Sequence, residues 1–158
     1  MKDDQALRQQ LANLMLKRQA HMLFEDAVAD FPEAHINSQL PGVDYSFWHL
    51  LEHIRICQDD ILDYIRNPNY EALDFPAGVW PAQDAVTDMA GWQETIRQFY
   101  ADRQALVAII EDPDTDFYTP IPHGWDGHNI LREIFIVADH NAYHIGEFAI
   151  LRQVMNLW

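Results

Sequence analysis

The sequence contains a single cysteine, few basic residues and no long apolar run, and each shortage excludes a class of protein. Cys57 is the only cysteine, so no disulfide can form within the chain, and nothing in the composition suggests secretion. The 10 Lys and Arg residues stand against 25 Asp and Glu residues, which gives a formal net charge of −15. This excess of negative charge argues against nucleic acid or an anionic membrane as a partner.

The sequence also shows no segment of the kind that directs a chain into or across a membrane. No stretch approaches the roughly 18 uninterrupted apolar residues of a membrane span. Residues 1–5 are polar and have no apolar run of the signal-peptide type. Hydrophobic residues make up 49% of the 158 residues, which supports a buried core. We therefore expect a cytoplasmic protein with one domain covering residues 1–158.

Four long segments show apolar residues with helical periodicity, and no segment alternates with the period of two that is typical of a strand. We predict helices at about residues 4–29, 46–67 and 84–111, and from residue 126 or 128 to residue 156. Ser46 and Asp84 are the predicted N-caps of the second and third helices. This pattern predicts an all-α four-helix bundle. The long connections between the helices permit crossovers, so the helix order stays open.

Two pairs of histidines four residues apart carry the strongest functional signal. His140 and His144 lie one turn apart on an apolar face of the last helix. His53 lies beside the apolar stripe of the second helix, whereas His49 falls further round and is predicted to lie at the surface or the rim. Three inward imidazoles with an open position describe a catalytic type of divalent-metal site. The alternative is a set of core histidines hydrogen-bonded to their neighbours, and the spacing alone leaves both open.

Other metal-binding patterns fit this sequence less well. There is no His-Glu-x-x-His run of the zinc-protease type. Carboxylate-bridged di-iron bundles require Glu-x-x-His on two helices. The residue three after Glu133 is Ile136, and no histidine stands three after Glu52 either. Glu133 lies seven residues before His140, so it could accept a hydrogen bond that fixes that imidazole. The favoured interpretation of Glu133 is a carboxylate that is exposed or lies at the N-terminus of the last helix.

Several neighbouring residues have both a structural and a functional interpretation. Cys57, on the apolar stripe of the second helix, is interpreted as a small buried hydrophobic residue rather than a thiolate ligand or a nucleophile. Tyr143 is predicted to serve core or dimer packing. Trp125 is predicted to plug one end of the bundle, with His123 and His128 in solvent; alternatively, these three residues rim a pocket. Three further tryptophans are predicted to be packing residues: Trp80, Trp92 and Trp158.

Two stretches of the sequence resemble the DinB/YfiT-like superfamily. They are residues 48–54 (WHLLEHI) and residues 139–147 (DHNAYHIGE), with Leu-Arg at 151–152 after them. The resemblance covers the second to the fourth helix and implies a four-helix bundle that is often a homodimer. It also implies a divalent metal held by His53, His140 and His144. Zinc or nickel is the expected metal, with iron and manganese as further candidates.

The resemblance implies more than one activity. Some members of the superfamily transfer low-molecular-weight thiols such as bacillithiol or mycothiol, and a related group isomerises maleylpyruvate with a thiol cofactor. By analogy, the leading expectation is a metal-dependent thiol S-transferase that acts on a small electrophile, with a hydrolase-like enzyme as a further candidate. The alternative is a non-catalytic metal- or ligand-binding stress-response protein. A third interpretation is a purely structural bundle, and the sequence identifies no catalytic residue.

Overall fold

Helices form the whole of the regular structure within residues 4–40 and 42–158, which are the residues that the computed structural model describes. Five α-helices occur there: α1 Gln5–Leu16, α2 Phe24–Val28, α3 Phe47–Arg66, α4 Met89–Glu111 and α5 Ile130–Val154. The all-α prediction is confirmed. Residues 1–3, part of the segment predicted to lack a signal peptide, lie outside the described residues. Within the described ranges, no helix combines the length and the apolar character that crossing a membrane requires.

Helix α3 is in contact with both α4 and α5, and α1 packs against the same two helices. One core cluster, around Leu106 and Ile134, joins α1, α3, α4 and α5. A second cluster is rich in aromatic rings and centres on Phe47, Trp92 and Phe148. Burial of large apolar side chains is the main stabilising contribution to such a core. Because α3 and α5 lie side by side, the two histidine pairs stand on adjacent helices.

The first predicted helix, over residues 4–29, is wrong because the structure breaks it into α1 and α2. Lys17 takes an extended conformation, which ends α1. The side chain of Asp26 accepts a hydrogen bond of 2.9 Å from the backbone N–H of Leu23, and it also pairs with Arg18 at 2.5 Å. A carboxylate that caps a new helix start in this way competes with continuation of the first helix.

The remaining helix ends agree with the sequence to within a few residues. Ser46 caps α3 as predicted. Helix α4 begins at Met89 rather than near Asp84, because the carboxylate of Asp88 accepts the free backbone N–H of the first turn. The predicted cap Asp84 lies instead in the connection before the helix. Asn129 caps α5 in the same way as Asp88 caps α4.

The connection between α3 and α4, residues 67–88, folds back against α3. The backbone carbonyl of Val79 faces His53, and the backbone carbonyl of Ala82 faces His49. The far end of this α3–α4 connection is held to another loop by two hydrogen bonds between Asn37 and Thr87. As a result, the connection covers the side of α3 that carries both histidines.

Candidate metal centre

Three imidazole rings meet between α3 and α5. The Nε2 atom of His53 lies 3.2 Å from Nε2 of His140 and 3.2 Å from Nε2 of His144. The ring centroids of His140 and His144 are 4.5 Å apart, as one helical turn allows. His53 is only 6% exposed, and the two α5 histidines are partly buried. The structure therefore brings together the three histidines that the resemblance to the superfamily implies as metal ligands.

In two of the three imidazoles, the hydrogen bond made by Nδ1, the nitrogen that points away from the other rings, defines the tautomer. Nδ1 of His53 lies 2.7 Å from the carbonyl oxygen of Val79, and Nδ1 of His144 lies 2.8 Å from a carboxylate oxygen of Glu147. Both oxygens are acceptors, so each Nδ1 carries a proton and donates it. In a neutral ring the other nitrogen then carries a lone pair. The Nε2 lone pairs of His53 and His144 thus face each other at 3.2 Å.

Burial favours the neutral form of two of the imidazoles, those of His53 and His140. Loss of solvent lowers the pKa of His53, and a charge on His144 would lower it further. Loss of solvent also lowers the pKa of His140 to about 4, with smaller contributions from His144 and His53. At neutral pH, His53 and His140 are therefore uncharged, which is the form that can bind a metal.

The α3–α4 connection orients His53. Its Val79 carbonyl accepts the Nδ1 proton, and the indole of Trp80 stacks on the imidazole with ring centroids 3.8 Å apart and planes 4° apart. Trp80, predicted from the sequence to be a packing residue, thus packs on a histidine of the candidate centre. No spacing signal predicts this contact, because Trp80 reaches His53 only through the path of an irregular loop.

Glu147 is the carboxylate that orients a histidine on α5. One of its oxygens accepts from His144, and the other accepts a short hydrogen bond from the hydroxyl of Tyr45. Burial and this bond raise the pKa of Tyr45 above its ordinary value. Glu147 stands three residues after His144, a spacing at which helical side chains meet, so the sequence held a signal for this contact. Tyr45 lies outside the helix and gave no such signal.

Cys57 lies beside the histidines. Its Sγ atom is 3.5 Å from Nδ1 and 3.9 Å from Nε2 of His53. Potential ligand atoms of His53, Cys57 and His140 all lie within 4.8 Å of one another. Burial, and to a smaller degree the charge of Asp60, raise the pKa of Cys57 to about 12. A His-His-Cys group therefore exists at this point, and its sulfur is a protonated thiol at neutral pH.

The DinB superfamily model matches residues 16–148 of the chain. The chain belongs to the DinB superfamily. The match includes His53, Cys57, His140, His144 and Glu147, so the whole candidate centre lies inside the family region. No curated protein and no solved structure matches the chain.

His49 is not at the surface of this DinB-superfamily protein, and that prediction is wrong. The residue is 4% exposed. Its Nδ1 accepts from the backbone N–H of Ser46 at 3.1 Å, and its Nε2 lies 3.0 Å from the carbonyl oxygen of Ala82. Both ring nitrogens have protein partners, which leaves no lone pair for a metal. The helical angle of His49 predicts a position toward solvent, but the α3–α4 connection covers this side of α3. The path of that connection does not follow from helical periodicity.

Glu133 agrees with one part of its prediction. The residue is buried, so it is not an exposed carboxylate, but it lies in the first turn of α5, as predicted for a carboxylate at the N-terminus of a helix. Its carboxylate pairs with Arg132 at 2.6 Å and lies 3.5 Å from Nδ1 of His128. It therefore neutralises charge near the start of α5, and the role of orienting an α5 histidine falls to Glu147.

The loop before α5 is anchored on Tyr64 of α3. Nε2 of His123 lies 2.8 Å from the Tyr64 carbonyl oxygen, and Nδ1 of His128 lies 3.2 Å from the Tyr64 hydroxyl. These half-buried histidines were predicted to be in solvent, and Trp125, predicted to plug the bundle, is 60% exposed. Eleven residues of helix, about 16 Å at 1.5 Å per residue, separate Tyr64 from His53. The loop histidines therefore belong to a separate structural contact.

Tyr143 stands next to the centre on its solvent side. Its ring is 71% exposed and meets the ring of His144 nearly at a right angle, with centroids 4.8 Å apart. Of the two roles predicted for Tyr143, core packing is wrong, and dimer packing stays a prediction. Tyr143 and the partly exposed His144 therefore form the side of the centre that is nearest to solvent.

Proposed function

We propose that this DinB-superfamily protein binds one divalent metal ion through Nε2 of His53, His140 and His144. The supporting observation is the contact of 3.2 Å between two nitrogens whose outer hydrogen bonds leave lone pairs on both. Facing lone pairs repel, whereas a shared cation would be attracted to both. Nitrogens bound tetrahedrally at about 2.0–2.1 Å lie about 3.3–3.4 Å from each other. The observed 3.2 Å separations are close to that value.

Zinc or nickel is the proposed metal. Imidazole suits zinc, nickel, copper and iron, whereas manganese prefers oxygen ligands. The nearby sulfur of Cys57 further favours a thiophilic ion over manganese or magnesium. Iron and manganese remain the alternatives that elemental analysis distinguishes.

Metal content of the protein without a histidine tag tests the binding proposal. We expect about one divalent ion per wild-type chain, and loss of that ion in His53→Ala, His140→Ala and His144→Ala. His35→Ala is the matched control, because His35 bonds to Ser38 within its own loop. Full occupancy in any of the three variants would remove that histidine from the ligand set. An apo wild type that also fails to take up added zinc or nickel would contradict the proposal.

For activity, we propose metal-dependent transfer of a low-molecular-weight thiol to a small electrophile. A bound divalent cation lowers the pKa of a thiol and so favours the nucleophilic thiolate. In this chain, His53, His140 and His144 would hold the ion, while Val79 and Glu147 orient two of the rings. The alternative is a non-catalytic metal- or ligand-binding stress-response protein.

A panel of thiols with a fluorogenic electrophile such as monochlorobimane separates these two functions. The enzyme proposal predicts conjugation that requires the loaded metal and is lost in His144→Ala but retained in His35→Ala. Metal binding without conjugation for any thiol favours the non-catalytic alternative. Hydrolysis of an ester panel under the same conditions would indicate the hydrolase-like activity instead.

We also propose a homodimer formed through α5. The helix exposes a row of apolar side chains at Ile136, Tyr143, Ile150 and Val154, whose spacing of seven and four residues places them on one face. Gly146 lies within the row, and a Cβ there would meet no atom within 4 Å. A second helix could therefore approach this face closely.

A further inference from the structure

A small cavity lies between α1, α2, α4 and α5. Its volume is about 40 Å³, and apolar side chains such as Leu14, Phe99 and Ile145 make up much of its wall. Among its polar lining residues, Arg103 of α4 and Asn141 of α5 are each only 8% exposed. A molecule in this cavity therefore meets two buried polar side chains in a largely apolar surrounding.

The orientation of the Asn141 amide follows from its neighbours. Nε2 of Gln58 donates to the carbonyl oxygen of Phe99 at 2.9 Å, so Oε1 of Gln58 is left as an acceptor. Nδ2 of Asn141 donates to that oxygen at 3.0 Å. The other end of the Asn141 amide is therefore its acceptor, Oδ1.

Arg103 and Asn141 each have one buried polar atom without a hydrogen-bond partner in the part of the chain that the structure describes. These atoms are Nε of Arg103, which is a donor, and Oδ1 of Asn141, which is an acceptor. Nη2 of Arg103 already donates to the carboxylate of Glu25. A buried polar atom that is left unpaired lowers the stability of the fold, so both atoms call for a partner.

We propose that the cavity binds one or two water molecules, which accept from Nε of Arg103 and donate to Oδ1 of Asn141. An anion could bond only to the guanidinium and a metal cation only to the amide oxygen, whereas water bonds to both. The volume of about 40 Å³ exceeds the roughly 10–15 Å³ that one water molecule requires. It is far below the roughly 150 Å³ of a cavity that takes up benzene.

With this water, a continuous polar chain crosses the bundle. It runs from Glu25 of α2 through Arg103 of α4 and the water to Asn141 of α5, which bonds to Gln58 of α3. A buried network whose members are all hydrogen-bonded favours one arrangement of the helices over others. Asn141 follows His140 directly, so the chain also fixes the position of that histidine along α3. The inference does not depend on metal binding.

A crystal structure of the full-length wild-type protein, at a resolution that shows ordered water, tests the site. We expect water peaks in the cavity at about 2.7–3.2 Å from Nε of Arg103 and from Oδ1 of Asn141. A second crystal under xenon pressure should show no xenon there, because xenon binds dry apolar cavities. Xenon in the cavity, a cavity without water peaks, or a direct bond from Oδ1 of Asn141 to the ring of His140 would each overturn the inference.

Asn141→Leu removes the acceptor while nearly keeping the size of the side chain. We expect loss of the water peak that bonds to Oδ1 in wild type. Asn37→Leu is the matched control, because Asn37 bonds to Thr87 and does not line the cavity, and its water peaks should be unchanged. A peak of unchanged occupancy in crystals of Asn141→Leu would contradict the role of Asn141. If this variant does not fold, the two wild-type crystals still decide.

Discussion

Removal of the Glu147 carboxylate is expected to weaken metal binding without removing any ligand. Oε2 of Glu147 accepts from Nδ1 of His144 at 2.8 Å, and this bond holds the ring with Nε2 toward His53. In Glu147→Ala the imidazole loses its acceptor, so it can turn or take the other tautomer. The metal must then select the productive arrangement from several, which lowers its affinity.

The expected loss is about tenfold in the dissociation constant. Outer hydrogen-bond partners of ligand histidines contribute about 10- to 100-fold in metal affinity. The side chain of Glu147 is 26% exposed, so water can partly replace it, which places the effect near the lower limit. Tenfold corresponds to about 1.4 kcal/mol. Tyr45→Phe removes only the hydroxyl that donates to Glu147, and a smaller loss is expected there.

Competition with a fluorescent zinc chelator at neutral pH measures these affinities. Asp139→Asn is the matched control, because this exposed residue on α5 loses the same unit of charge without a hydrogen bond to a histidine ring. Glu147→Gln keeps an acceptor oxygen and should recover part of the affinity. An unchanged dissociation constant in Glu147→Ala, or an equal loss in Asp139→Asn, would refute the orienting role of the carboxylate.

Three further variants test other parts of the structure. Burial and Asp59 raise the pKa of Asp102 to about 6, above its unfolded value of about 4, so stability present below pH 4 is lost as the pH rises through 6. We expect Asp102→Asn to raise the free energy of unfolding, measured by urea titration, by about 1 kcal/mol above pH 7 and not at all below pH 4, a modest gain because Asp102 is partly exposed. An equal gain at both pH values would contradict this expectation. His49→Ala should lose about 2–3 kcal/mol of unfolding free energy by urea titration yet keep its metal, since His49 bonds only to protein partners; loss of metal from the folded variant would refute this. Ile150→Asp should turn the proposed dimer into a monomer by light scattering, and a wild type that is already monomeric would exclude that dimer.

The helices that carry the candidate centre could be predicted because their signals are local. The apolar stripe of α3 and the capping side chain of Ser46 lie within a few residues of each other, and the sequence located both. The spacing of His140 and His144 likewise identifies one face of α5. The apolar periodicity of residues 4–29 continues across the break between α1 and α2, so it predicts one helix where the capping contact of Asp26 begins a second.

Contacts made by irregular segments could not be predicted in this way. The stacking of Trp80 on His53 and the burial of His49 both depend on the path of the α3–α4 connection, which no periodic pattern specifies. The contact between Tyr45 and Glu147 joins residues about one hundred positions apart, so it follows only from the packed fold. The orienting partners of the histidines were therefore less predictable than the histidines themselves.

An anomalous-scattering crystal structure of the zinc-loaded protein tests the central proposal most directly. We predict one anomalous peak between α3 and α5, at about 2.0–2.1 Å from Nε2 of His53, His140 and His144. A peak bonded to fewer than two of these nitrogens, or zinc found only at surface carboxylates, would contradict the account.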